Sequence, residues 1–442
     1  MSYATTPSRT LDLPFELVDN IIDLLQEDGN KRHLSSYSLI SRAWLTRSRQ
    51  HLFSSIRLRR LDDRRGLEAF LEFLVSNNSE ENIRSRGTNV NNFIKELRFH
   101  GQPGRRMLDL VKANILKGVL ALLPNLLSLE LRHAQLEWDV PFSCRDTQDA
   151  TSHRCAKLES LTLDTFQTSS PSSSDLVFFL SLFSSIAALR IFSPDLGYIP
   201  ENMESIANHP SLLTTQPCFP SQLQVSSINL PNGAFTPFFL ALLQRTTSTS
   251  SLREMDTRCS SRTEIDALGI FLDVVGTRIK SFAMDIVQFE ESGRMPSYPD
   301  LQAFNLSACT SLTHLTIRIS LRPNHGTRNS AMFTSVTTLL SFASATLETI
   351  TLIITLEGPQ IEFYRFEEPL RDDLTQEFLQ LQAGILQRQG KGKEKCKLVI
   401  GWAGFRWHGK TKGTFCENED ELCEIVQDQL TELNNKGLFT FA

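Results

Sequence analysis

From about residue 90 onward the chain repeats a short apolar-x-x-apolar-x-apolar pattern. It occurs as "IKELRF" from Ile94, "LLSLEL" from Leu126, "LESLTL" from Leu158, "IAALRI" from Ile186, "VSSINL" from Val225, "LREMDT" from Leu252, "IKSFAM" from Ile279, "LTHLTI" from Leu312 and "LETITL" from Leu347. Successive matches are 32, 32, 28, 39, 27, 27, 33 and 35 residues apart, and only "LREMDT" breaks the pattern, with Thr257 in its last apolar place. The closing apolar-x-apolar of each match has the period of a strand with one buried face. Between the matches lie segments with helical spacing: "MLDLVKANILKGVLALLP", "SDLVFFLSLFSS", "AFTPFFLALLQ", "TEIDALGIFLDVVG", "MFTSVTTLLSFAS" and "DLTQEFLQLQAGILQ". One strand and one helix per period predict an α/β chain with a parallel sheet, its strands near 97, 129, 161, 189, 228, 255, 282, 315 and 350, with "KLVIG" near 398 as a last one.

Two architectures give this alternation, a leucine-rich-repeat-like solenoid and an open doubly wound sheet. The Leu-x-x-Leu-x-Leu phase and the nine units favour the solenoid, since an open twisted sheet rarely takes more than about ten strands. The periods exceed the usual 20 to about 29 residues and the asparagine expected after each strand is mostly missing, so the array is expected to be irregular. "NEDELCEIVQDQLTELNNKG", with acidic residues first, Gly437 at its end and Leu422, Val426 and Leu433 on one face, is expected to form a C-terminal capping helix.

The first sixty residues follow a different pattern. In "LPFELVDNIIDLLQE" Pro14 suits a first helical turn, Leu17, Ile21 and Leu24 form one apolar row, and Phe15, Val18, Ile22 and Leu25 form a second. "EDGN" ends this helix, and "HLSSYSLISRAWLTRSRQHLF" predicts two more, parted near Ser41, with Leu34, Leu39, Ile40, Trp44 and Leu52 apolar. A helix with two apolar rows needs cover on both sides, and so small a unit has little core of its own. If one row packs on the other two helices, the other is left for a partner.

"LPFELVDNIIDLL", "LSSYSLISRAW" and "RSRQHLFSSIRL" resemble an F-box. The family pattern is Leu-Pro-x-Glu-Leu, an Ile four residues on, a Leu closing the helix and a Trp ending a Ser-containing turn; here Leu13, Pro14, Glu16, Leu17, Ile21, Leu25 and Trp44 fill those places. The resemblance covers about a tenth of the chain. It implies a three-helix module over 11–58 that binds a Skp-type adaptor and through it a cullin-RING ubiquitin ligase, with Leu13, Pro14, Glu16, Leu17, Ile21, Ile22, Leu25 and Trp44 in the contact. The rest divides into a linker or first helix over 59–90 and the solenoid over 91–442, which would bind an unidentified target protein. Two other functions are open: a repeat scaffold outside any ligase, or a helix-turn-helix DNA binder. Lys31 to Arg60 contains eight basic residues and no acidic one, but its turn lacks glycine and Trp44 and Leu45 stand where base-reading side chains should project.

Composition narrows these choices. The 442 residues are 40% hydrophobic and 21% charged with a net charge of −5, which suits a globular chain and excludes a globally basic nucleic-acid coat. Eight cysteines without a CxxC pair are expected to be reduced thiols. The opening "MSYATTPSRT" has no apolar core, and the longest apolar run, Leu176 to Leu189, is too short for a span. A cytoplasmic or nuclear protein, off the membrane, is expected.

"GFRWHGKT", Gly404 to Thr411, fits the phosphate-loop pattern letter for letter. A working loop needs a helix starting at its Gly-Lys-Thr, and Gly413 and Thr414 interrupt one. Trp402, Phe405 and Trp407 on this stretch are instead candidates for target binding, since aromatic side chains on loops make good interface anchors. Cys144, His153 and Cys155 lack a fourth ligand for zinc. No catalytic constellation, cofactor site or metal site is expected.

Overall fold

The computed structural model describes residues 14–27, 31–40, 42–59, 66–79, 89–102, 109–137, 156–168, 174–192, 219–230, 235–287, 295–321, 326–356, 368–389, 396–403, 423–424 and 426–441. They fall into two compact units, residues 1–169 and 170–442. Both are α/β and both contain a parallel sheet.

The first unit opens with three helices, α1 (Phe15–Glu27), α2 (Lys31–Tyr37) and α3 (Arg42–Ser54). The chain passes straight from α3 into β1 (Ser55–Arg59), then through the helix α4 (Leu67–Asn77) to β2 (Glu96–His100). β3 (Asp109–Lys112), a helix over Ala113–Leu122, β4 (Ser128–Glu137) and β5 (Ala156–Thr168) complete it. The strand order is β1-β2-β4-β5, and β3 pairs with the far half of β4. The segment expected as one helix from Met107 therefore starts as a strand: Leu110 and Val111 alternate outward and inward, and the helix begins only at Ala113.

β4 and β5 each carry one residue with positive φ at the same level, His133 (50°) and Thr165 (49°). The ladder passes from Arg132↔Asp164 to Ala134↔Phe166, so the paired strands bulge together. The extra residue resets the alternation, and Ala134, Leu136 and Phe166 stay buried.

The second unit contains β6 (Phe183–Phe192), β7 (Gln224–Leu230), β8 (Glu254–Cys259), β9 (Ser281–Ile286), β10 (His314–Leu321), β11 (Thr349–Leu356), β12 (Lys397–Ala403) and β13 (Phe439–Phe441). They pair in chain order, each parallel to the next, with no reversal. The helices between them also pack in succession: Phe235–Gln244 on Arg262–Val275, that on Tyr298–Ala303, and so on through Gly326–Phe342 to Glu368–Gln389. Gly269 is where Arg262–Val275 comes closest to its neighbour; a Cβ there would lie 2.1 Å from the Ala303 carbonyl oxygen.

All ten expected strands are present, and the repeat explains why. The first apolar residue of every match, from Ile94 to Leu347, is buried, either just before its strand or, for Leu158, Ile186 and Val225, within its opening residues. The later two form continuous ladders, Ile228–Met255–Phe282–Leu315–Ile350–Leu398 and Leu230–Thr257–Met284–Ile317–Leu352–Ile400. Several repeats are tied to the next by one recurring bond pair, in which a single carbonyl accepts two consecutive backbone N–H groups. Lys95 O holds Leu127 and Ser128, Arg253 O holds Lys280 and Ser281, Lys280 O holds Thr313 and His314, and Thr313 O holds Glu348 and Thr349.

The missing asparagine has a substitute. Side chains ahead of a strand donate back to carbonyls of the previous repeat: Asn125 to Asn92 O (2.8 Å), Thr247 to Leu223 O (2.9 Å), Ser311 to Thr277 O (2.7 Å) and Thr346 to Leu312 O (2.9 Å). These bonds supply donors to carbonyls in the turns that lead into the strands.

Two expectations need correction. "LFSS" at 182–185 continues into β6 instead of lengthening the helix Ser174–Ser181, because Phe183 and Ile186 are needed inward beneath the sheet. At the far end, Val426, Leu430 and Leu433 are buried as helical spacing requires, but Gly437 (φ 65°) then turns the chain into β13, which adds to the sheet beside β12. The capping helix is followed by a strand. Leu422 lies outside the described residues.

Candidate partner interface

The two apolar rows of α1 meet different surroundings. Val18 (2% exposed) and Ile22 (0%) form a small core with Leu34 of α2, and Trp44 and Leu52 of α3 pack against it. Leu17 (49%), Ile21 (36%) and Leu24 (64%) form an open strip on the other side. The turn between α2 and α3 adds Leu39 (84%) and Ile40 (58%) to the exposed apolar surface.

Ionic contacts fix how α1 lies on α3. Arg47 donates to both carboxylate oxygens of Asp23, from Nε at 2.8 Å and Nη2 at 2.6 Å, and His51 Nε2 lies 2.6 Å from Oδ1. The Arg47 bond holds the Asp23 carboxyl below the usual carboxylate range, against a smaller opposing effect of burial. Tyr37 stacks obliquely between His33 and Trp44, with ring centroids 6.4 and 5.8 Å apart, and ties α2 to α3.

Of the residues expected to face a partner, Pro14, Glu16, Leu17 and Ile21 are exposed, and Trp44 is half-buried against the helix core. Ile22 is corrected: it points into the bundle, where it supports α1 and is closed to direct contact. Leu13 lies outside the described residues. Leu25 is placed in α1, and its side chain is outside them. Leu39 and Ile40 were missed as surface residues, although two adjacent apolar side chains in a Ser-flanked turn were a readable signal.

Trp402 is in β12, paired with Ile354, and its side chain is outside the described residues; Phe405, Trp407 and the rest of "GFRWHGKT" fall wholly outside them. Cys144, His153 and Cys155 do too. Among the described residues no group of three or more His, Cys, Asp or Glu side chains could hold a metal ion, and no helix is long and apolar enough to cross a membrane. Cys259 and Cys309 are buried free thiols, Cys396 is buried as well, and burial pushes Cys309 up to about 12.

The outward faces of the strands carry two polar networks that the linear sequence does not reveal. In the second unit Arg318 of β10 reaches across β9 to Asp256 of β8 (2.8 and 2.5 Å) and also bonds Asp285 (2.9 Å), while Asn229 donates to Asp256 at 2.9 Å. Burial raises the Asp256 carboxyl, opposed by Arg318. In the first unit Glu130 of β4 is surrounded by Arg132, His100 (3.3 Å) and Arg98 (3.6 Å), and burial lowers His100.

No protein-family model matches the chain, and no curated protein matches it in sequence.

Proposed function

We propose that the chain is a non-enzymatic substrate-recognition adaptor of a Skp-cullin-F-box ubiquitin ligase. On this reading α1 to α3 are an F-box, and the strand-helix repeats after them are an irregular leucine-rich-repeat-like solenoid that holds a target protein. The observation that carries it is the division of α1 into a buried row, Val18 and Ile22, and an open row, Leu17, Ile21 and Leu24, on a helix whose motif residues have F-box spacing. A contiguous apolar strip costs solubility in a free chain and is retained where a partner covers it. The sequential strand order and the recurring one-carbonyl bond pair support the solenoid, because a doubly wound sheet reverses its order at a switch point.

The DNA-binding alternative loses force on the same residues. Arg47 is committed to Asp23, and Arg57 and Arg59 belong to β1 and not to a recognition helix. Expression of the tagged chain with a Skp-type adaptor tests the proposal. Stoichiometric co-purification of the wild-type chain, lost in Leu17→Asp with near-UV circular dichroism unchanged, is expected; failure to co-purify overturns it.

A further inference from the structure

β1 is the edge strand of the first unit's sheet: it pairs with β2 on one side, and among the described residues no strand pairs with the other. Its outward side chains include Arg57 and Arg59, both exposed, and neither makes an ion pair among the described residues. The register aggravates this. Arg57 stands directly beside Arg98, and Arg59 beside His100, which stands beside Arg132. Like charges opposed on neighbouring strands oppose folding, and the two carboxylates within reach, Glu96 and Glu130, are already engaged by Arg98 and Arg132. Among the described residues the two β1 arginines are thus cations without a compensating carboxylate, on an edge that no described strand covers.

We propose that this edge accepts an extended acidic segment of a partner protein, added beside β1 as a further strand with carboxylates at every second residue. Such a strand would bond backbone groups of Ile56–Arg59 on the side away from β2, and its alternate side chains would lie on the same face as Arg57 and Arg59. Two residues along a strand advance about 6.6 Å, so carboxylates spaced i and i+2 meet the two arginines in register. The charges also discriminate: an edge carrying cations resists pairing with neutral or basic strands and admits acidic ones. A nucleic acid fits less well. The outward face of β1, β2 and β4 presents no Phe, Tyr or Trp on which bases could stack, and its cationic stretch is only three strands, about 10 Å, wide.

The test uses the full chain and fluorescent peptides. The probe is Thr-Glu-Thr-Glu-Thr-Glu-Thr, with a block-scrambled peptide of the same composition, a Lys-for-Glu counterpart and a uridine hexanucleotide as comparators. Binding is read by anisotropy, and protection of the Ile56–Arg59 amides by hydrogen exchange. Expected results are binding of the alternating peptide at least about threefold tighter than the scrambled one, protection of those amides, and a loss of about tenfold in the Arg57→Ala/Arg59→Ala variant, which changes only exposed side chains. Equal binding of the scrambled peptide without protection would overturn the added-strand geometry. No binding, an unaffected double variant, or tighter binding of the RNA would overturn the proposal altogether.

Discussion

The exposed row of α1 can be removed by replacing Leu17, Ile21 and Leu24 together with alanine. Complete burial of a Leu or Ile side chain contributes roughly 1.5–3 kcal/mol. Leu17 has 49% of its surface still open, Ile21 36% and Leu24 64%. Scaling by those fractions gives about 1 kcal/mol for Leu17, about 0.8 for Ile21 and about 1.4 for Leu24 when a partner covers them. The triple variant should therefore weaken adaptor binding by about 3 kcal/mol, on the order of a hundredfold, and Leu17→Ala alone by about fivefold. None of the three side chains supports the bundle core, so thermal stability should hardly change. The complementary variant, Val18→Ala/Ile22→Ala, hollows the core of a module with few other contacts and should unfold it, since each truncation costs about 1–4 kcal/mol. Surface-plasmon measurements against an immobilised Skp-type adaptor, run beside circular dichroism melts, separate the two effects. Full affinity in a folded triple variant would refute the assignment of this face.

Gly269→Ala should destabilise the second unit by about 1–3 kcal/mol, read in urea denaturation, because its new methyl group meets the Ala303 carbonyl and not a movable side chain. Thr257→Val should stabilise the same unit by about 1 kcal/mol in that assay: Thr257 occupies an apolar place between Leu230 and Met284, and its hydroxyl has no well-aligned partner, only the Cys259 thiol nearby. Asp23→Asn should lower the melting temperature at neutral pH and converge with wild type in acid. The carboxyl is depressed in the folded state, so its contribution is present above the unfolded value near 3.9 and fades as pH falls through the lower folded one. A difference that persists where the folded-state carboxyl is itself protonated would show that the loss is steric and not ionic.

The repeat was legible in the sequence because each strand has one buried face, and burial writes a period of two into the residues. "SIRLR" escaped because Ile56 and Leu58 are set among arginines at the end of the stretch assigned to the three-helix module, although the same alternation is what places them in β1. "DLVK" escaped because it adjoins a helix and four residues cannot set a period. Both apolar rows of α1 were visible, yet their spacing did not say which faced inward. That choice depends on Asp23 finding Arg47, 24 residues away, and on Leu34 meeting Ile22. The outward networks were out of reach altogether: Arg318 and Asp256 are 62 residues apart, and only the register of three strands brings them together.

On the proposed reading, α1 to α3 dock on a Skp-type adaptor through the open row of α1. Size-exclusion chromatography with light scattering, on the purified full chain mixed with purified adaptor, tests it most directly. A one-to-one complex, abolished by Leu17→Asp/Leu24→Asp in a variant that remains folded, is the predicted result; two separate peaks at micromolar concentrations, or a complex indifferent to that variant, would contradict it.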